Sequence, residues 1–127
     1  MRIILVKVAD ATGYGGPVLV MTRYVVPTED AAEFRALAVP ALTVLTGQTG
    51  CTSGHLGRNV DDPTLWTLTT TWRTVGDYRR ALSAYDVKLN AVPLMYRAID
   101  EPTAYEDLQT WTPERGLRAH TSDRAEG

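Results

Sequence analysis

A chain of 127 residues has room for one domain with a single core and none for a second. Its 44% hydrophobic and 22% charged residues are the proportions of an ordinary globular protein. Thirteen Lys and Arg against 15 Asp and Glu give a net charge of -2, so no large positive field exists to hold a phosphate backbone, and nucleic acid is not an expected partner.

The β-branched run at residues 3–8 reads as a strand. Lys7 and Asp10 interrupt it too early for a signal core or a membrane span, so no membrane association is expected. Gly13-Tyr14-Gly15-Gly16-Pro17 follows as a link. It is no dinucleotide loop, because a strand and not a helix N-terminus comes after it. In the strand at 18–26, Val18, Val20, Thr22, Tyr24 and Val26 point one way and Leu19, Met21, Arg23 and Val25 the other, and both faces are largely apolar.

Pro27-Thr28-Glu29-Asp30 is a helix start, with Thr28 as the N-cap and carboxylates in the first turn. Phe34, Leu37, Ala38, Ala41, Leu42 and Leu45 form its core stripe, Pro40 is expected to kink it, and Gly47 and Gly50 bracket its end. Residues 51–59 and 64–73 pair as a hairpin turned by Asp61-Asp62-Pro63. In the second strand Trp66, Leu68, Thr70 and Trp72 share a face that must be covered. Thr74 caps the next helix, where Val75, Tyr78, Leu82, Tyr85 and Leu89 recur at helical spacing before a break at Asn90 and a restart at Pro93. Val92, Met95, Tyr96 and Ile99 continue the stripe, Asp100-Glu101-Pro102 ends it, and residues 103–108 form a last strand. From 109 to 127 the chain is a polar tail, with Trp111 anchoring its start.

The order is β-α-β-β-α-β, an α+β ferredoxin-like arrangement with a four-stranded antiparallel sheet and an extra N-terminal strand. The division is 1–17 strand and link, 18–108 domain, 109–127 tail. Helices cover one sheet face; the strand at 18–26 is apolar on both, so the second face calls for a cover, and a homodimer through the sheet faces supplies it most simply. Cys51 is the only cysteine, so no internal disulfide forms, and a reducing cytoplasmic setting fits best.

His55 is the one histidine inside the expected fold and the candidate for proton handling, against the alternative of a hydrogen-bonded strand residue. Cys51 and His55 are no dyad, since four residues of strand span about 13 Å. No HExxH or paired-Cys spacing occurs, so no metal site is expected. Tyr24, Trp66, Trp72, Tyr78 and Tyr85 are the aromatic groups expected between sheet and helices, either lining a ligand pocket or packing as core. Tyr78 and Tyr85, seven residues apart on one predicted helix, are expected to turn their hydroxyls into the same cavity, with Tyr85 a second catalytic candidate beside His55.

Four stretches carry a family resemblance: Val18-Leu-Val-Met-Thr-Arg-Tyr-Val-Val, Gly50-Cys-Thr-Ser-Gly-His-Leu-Gly-Arg, Leu65-Trp-Thr-Leu-Thr-Thr-Thr-Trp72-Arg-Thr-Val-Gly-Asp-Tyr, and Asp100-Glu-Pro-Thr-Ala-Tyr-Glu-Asp. The chain from 18 to 108 resembles the antibiotic biosynthesis monooxygenase family of dimeric α/β barrel proteins, most specifically at the Trp72-Arg73-Thr74 strand-to-helix junction. The resemblance implies oxidation of an aromatic or polyketide-like small molecule by dioxygen without metal or flavin. It also sets Trp72 at a pocket mouth and Thr22 at the position of a site residue on the first family strand. Haem is not expected, because the Asn, Trp and His of haem-degrading relatives correspond here to Thr22, Trp72 and Ala81 or Leu82. A non-catalytic small-molecule binder and a cyclase or isomerase are the alternatives.

Overall fold

The computed structural model of the protein describes residues 15–121, so the expected strand at 3–8 lies outside the described residues. Four strands, β1 (Val18–Val25), β2 (Cys51–Arg58), β3 (Leu65–Trp72) and β4 (Ala104–Glu106), form an antiparallel sheet in the order β2-β3-β1-β4. With α1 (Ala31–Thr46) after β1 and α2 (Val75–Leu82) after β3, this is the ferredoxin-like α+β fold. Alternation along β1 and β3 is strict: Val18, Val20, Thr22, Tyr24, Trp66, Leu68, Thr70 and Trp72 are buried on the helix side. Phe34 of α1 seats its ring between Tyr24 and Trp66, with centroids 5.0 and 5.2 Å away.

Gly54 lets α1 approach β2 closely, since a Cβ there would come within 2.6 Å of Thr46 and 2.8 Å of Leu42. Thr74 caps α2 as expected, its hydroxyl accepting from the Asp77 N–H at 3.1 Å.

Several local expectations are corrected. Thr28 does not cap α1: a 3-10 turn, Thr28–Asp30, closed by the Asp30 N–H on the Pro27 carbonyl, precedes the helix and leaves Asp30 at its N-cap. Pro40 stands inside α1, which runs unbroken from Ala31 to Thr46. Leu37 is exposed and not part of the core stripe.

The predicted second helix is two. α2 stops at Leu82, where Ser83 and Ala84 donate to the carbonyls three residues back, and Ala84 turns extended. α3 (Tyr85–Asn90) and α4 (Val92–Met95) then start in a new phase, which buries Val87, Leu94 and Met95 and turns Tyr85, Leu89 and Tyr96 outward. The expected polar tail contains a second sheet: β5 (Gln109–Thr112) and β6 (Gly116–Ala119) form an antiparallel hairpin, with Gly116 at φ +69° completing its turn. Trp111 is exposed on it and is not packed into the core of the described residues.

Candidate site between sheet and helices

Period-two alternation carries Thr22 and Tyr24 of β1, and Thr70 and Trp72 of β3, to the underside of the helix layer, and α2 brings Tyr78 onto the same ground. The Tyr78 ring packs on Trp72 at 5.5 Å between centroids. Trp72 Nε1 donates to Thr70 Oγ1 at 2.8 Å. Thr22 Oγ1 and the Tyr24 hydroxyl share a hydrogen bond of 2.8 Å, and the Leu68 carbonyl lies 3.4 Å from Thr22 Oγ1.

Two polar atoms in this layer are buried without a hydrogen-bond partner: Tyr78 Oη and Trp66 Nε1. A buried donor left unspent costs about 1–3 kcal/mol and usually marks a place where water or a ligand belongs. Burial pushes the Tyr24 phenol up to about 12, the bond with Thr22 and the nearby Arg97 charge pulling weakly the other way. Tyr78 is driven higher still by burial and by Tyr24 beside it. Both phenols are therefore neutral hydroxyls across the physiological range, and that of Tyr78 has its proton free to give.

The remaining candidates stand elsewhere. His55 lies opposite Thr69 on β2, and Thr69 opposite Met21, so all three share the open face of the sheet, away from Trp72 and Tyr78. The expected convergence of His55 with the aromatic set does not occur, because an odd position on β2 points to the other side of the pleat. Tyr85 is 79% exposed at the start of α3 and shares no cavity with Tyr78, the break at Ser83–Ala84 having rotated it outward. Trp66 sits six residues from Trp72 on β3, beneath Phe34 and with Arg58 5.1 Å over its ring, at the far end of the layer.

Thr70 was legible as a member of the Trp face but was not singled out; its role shows only in the bond it accepts from Trp72. A polar cluster on the last hairpin had no such signal: Thr110 Oγ1 donates to Asp107 and lies 2.9 Å from His120 Nε2. This cluster walls a cleft of about 640 Å³ between the hairpin and the Leu19, Ser53 and Thr71 end of the open face. A smaller recess of about 280 Å³ lies at the opposite end of that face, among Met21, Arg23, Gly57, Leu65 and Thr67.

Among the described residues no group of three or more His, Cys, Asp or Glu is placed to hold a metal ion. No helix there is long and apolar enough to cross a membrane.

Solved structures of the same fold cover about three quarters of this chain and nearly all of their own. SnoaB, a cofactor-independent oxygenase from Streptomyces nogalater, is 21% identical, with 75% of this chain and 96% of that chain covered at a TM-score of 0.62. Rv0793 from Mycobacterium tuberculosis is 19% identical, with 76% and 100% covered at 0.62. A conserved protein from Methanosarcina mazei Go1 is 18% identical, with 74% and 95% covered at 0.61. No curated protein matches the sequence. The sequence profile of the antibiotic biosynthesis monooxygenase family matches residues 17–88, which span β1 to α3 and every residue of the buried aromatic layer from Thr22 to Tyr78. With more than half of its length accounted for in this way, the chain belongs to the antibiotic biosynthesis monooxygenase family.

Proposed function

We propose that the protein is a cofactor-independent monooxygenase that oxidises an aromatic or polyketide-like small molecule held between the helix layer and the sheet. The observation that carries this reading is the unspent Tyr78 hydroxyl, buried beside the Trp72 indole and the Tyr24 phenol in a family whose relative SnoaB is a cofactor-independent oxygenase. A polycyclic substrate needs flat apolar walls and a donor for one oxygen; Trp72, Tyr24 and Tyr78 supply those groups, and because they are closely packed the helix layer must part to admit it.

The chemistry then follows from the substrate. A methylene carbon flanked by aromatic rings and conjugated through them to a ketone loses a proton to water and becomes an enolate, whose oxygen accepts the Tyr78 O–H. A neutral phenol with a raised pKa keeps its proton beside that anion, so it stabilises the charge without quenching it. The electron-rich carbon adds dioxygen to give a peroxide, which takes up a proton and loses water. Methylene plus dioxygen becomes carbonyl plus water, and no external electron donor is consumed. Thr22 holds Tyr24 in place through their bond, and exclusion of bulk water limits side reactions of the peroxide.

In this reading the protein acts as a homodimer joined through the open sheet faces, in a reducing cytoplasm where Cys51 stays a thiol. Burial pushes that thiol up, which keeps it protonated and unreactive. A second reading, a small-molecule binder without chemistry, is favoured by one observation: the only histidine in the sheet lies on the face away from the aromatic layer.

The test is aerobic incubation of metal-free protein with hydroxylated anthrones. The expected result is one dioxygen consumed per ketone formed, with one oxygen atom from labelled gas in the product and loss of at least tenfold in rate for Tyr78→Phe. Tight binding with no oxygen uptake favours the binder, and product without oxygen uptake favours a cyclase or isomerase.

A further inference from the structure

The β5–β6 hairpin is built inside out for a segment that closes over its own domain. Thr110, Thr112 and Arg118 face the cleft and the sheet beneath, whereas Trp111 and Leu117, paired directly across the hairpin, face away and are 65% and 68% exposed. An isolated two-stranded hairpin is marginal in water, and an indole held outward on one is left uncovered by the described residues.

The open face of the main sheet offers the complement. Its recess of about 280 Å³ lies at the end remote from the hairpin, and Gly57 leaves part of its lining bare, since a Cβ there would already press within 3.2 Å of Thr67. That volume accommodates one large aromatic side chain. On its rim Arg23 donates through Nε and Nη2 to Glu101, both at 2.8 Å, which holds the guanidinium plane in position to stack on an indole.

We propose that the hairpin is an arm for a second copy of this chain, with Trp111 of each copy inserted into the Met21–Arg23–Leu65 recess of the other. A two-fold axis near the middle of the open face exchanges the hairpin end of one sheet for the recess end of its mate, so a single contact pattern serves both copies. The exposed parts of Leu19, Met21, Val25, Tyr105, Trp111 and Leu117 together present on the order of 600 Å² of side-chain surface, close to the ~800 Å² per partner of a stable dimer. The hairpin lies beyond residues 17–88, the span matched by the family profile. It rests on the reading that the sheet faces pair.

The chain's three tryptophans make the test direct, because Trp66 and Trp72 are buried and only Trp111 is open to a quencher. Wild-type protein is diluted through its dimer dissociation, followed by sedimentation, while acrylamide quenching of tryptophan emission is measured at each concentration. The quenching constant is expected to rise at least twofold as dimers part. Trp111→Ala is expected to raise the dimer dissociation constant about thirtyfold or more, with an unchanged circular dichroism spectrum and melting temperature, and Trp111→Phe to restore most of the affinity. Dimers that part with no change in quenching, or a Trp111→Ala variant that pairs as tightly as wild type, overturn the arm and leave the sheet-face dimer standing. A wild-type protein that is monomeric at every concentration removes both.

Discussion

On β1, Val18, Val20, Thr22 and Tyr24 are sealed beneath the helices, whereas Leu19, Met21 and Val25, one residue out of phase, are 36% to 63% exposed on the other side. The same contrast holds on β3, where Trp66 and Trp72 alternate with Thr67, Thr69 and Thr71. The helix side is finished within one chain: aromatic rings interlock and most hydroxyls and N–H groups find partners. The open side is, among the described residues, a mixed surface of hydroxyls and partly exposed single apolar side chains. If folding energy belongs to the packed face and association to the open one, as proposed, substitutions on the two should separate cleanly.

The largest expected effect is on the helix side. Trp72→Ala empties the most deeply buried large side chain and should cost about 3–5 kcal/mol in urea unfolding. A loss below about 1 kcal/mol would show that the indole borders open space and not packed core.

A smaller effect comes from pH. The Tyr24 phenol is raised from 10.0 to about 12 in the folded protein, and Tyr78 is raised further. A phenol that holds its proton more tightly when folded contributes stability that is fully present below pH 10 and declines as pH rises toward the folded value. Stability should thus fall by on the order of 2 kcal/mol between pH 10 and 12 for the Tyr24 shift alone. Tyr24→Phe should flatten that decline. An equal slope in wild type and variant would assign the alkaline loss to other groups.

The smallest effect on folding is expected on the open face. Met21→Lys should leave the unfolding free energy of the monomer within about 0.5 kcal/mol, yet shift the sedimenting species toward monomer. A large loss of monomer stability would erase the distinction between the faces.

The strands and their covered face were legible because period two is a strong signal where one side is packed by Trp and Leu, as between Trp66 and Trp72. The buried positions of Thr22 and Tyr24 followed from the same alternation. Helical phase was lost at Ser83–Ala84, where a tightened last turn resets the angle and no proline or glycine announces it. Tyr85 and Leu89 were accordingly placed inward, though Val87 is the residue the core receives. The hairpin escaped because Gln109-Thr-Trp-Thr and Gly116-Leu-Arg-Ala are polar enough to pass for a tail; the Pro113-Glu-Arg-Gly116 turn between them was the available clue. His55 was placed with the aromatic set because a lone strand gives its alternation but not which side faces the helices.

Among the described residues, the outermost strand, β2, has one flank without a neighbour in the sheet along all eight of its residues. A straight, valine-rich border of that length would recruit stray chains into mixed aggregates. Here the pairing register slips between Cys51 and Ser53, Gly54 and Gly57 interrupt the side-chain row, and Arg58 ends it with a charge, so the rim is a poor template for another backbone. Such a rim disfavours edge-to-edge growth, so the proposed pairing through the broad side of the sheet would close as a pair instead of extending as a fibre.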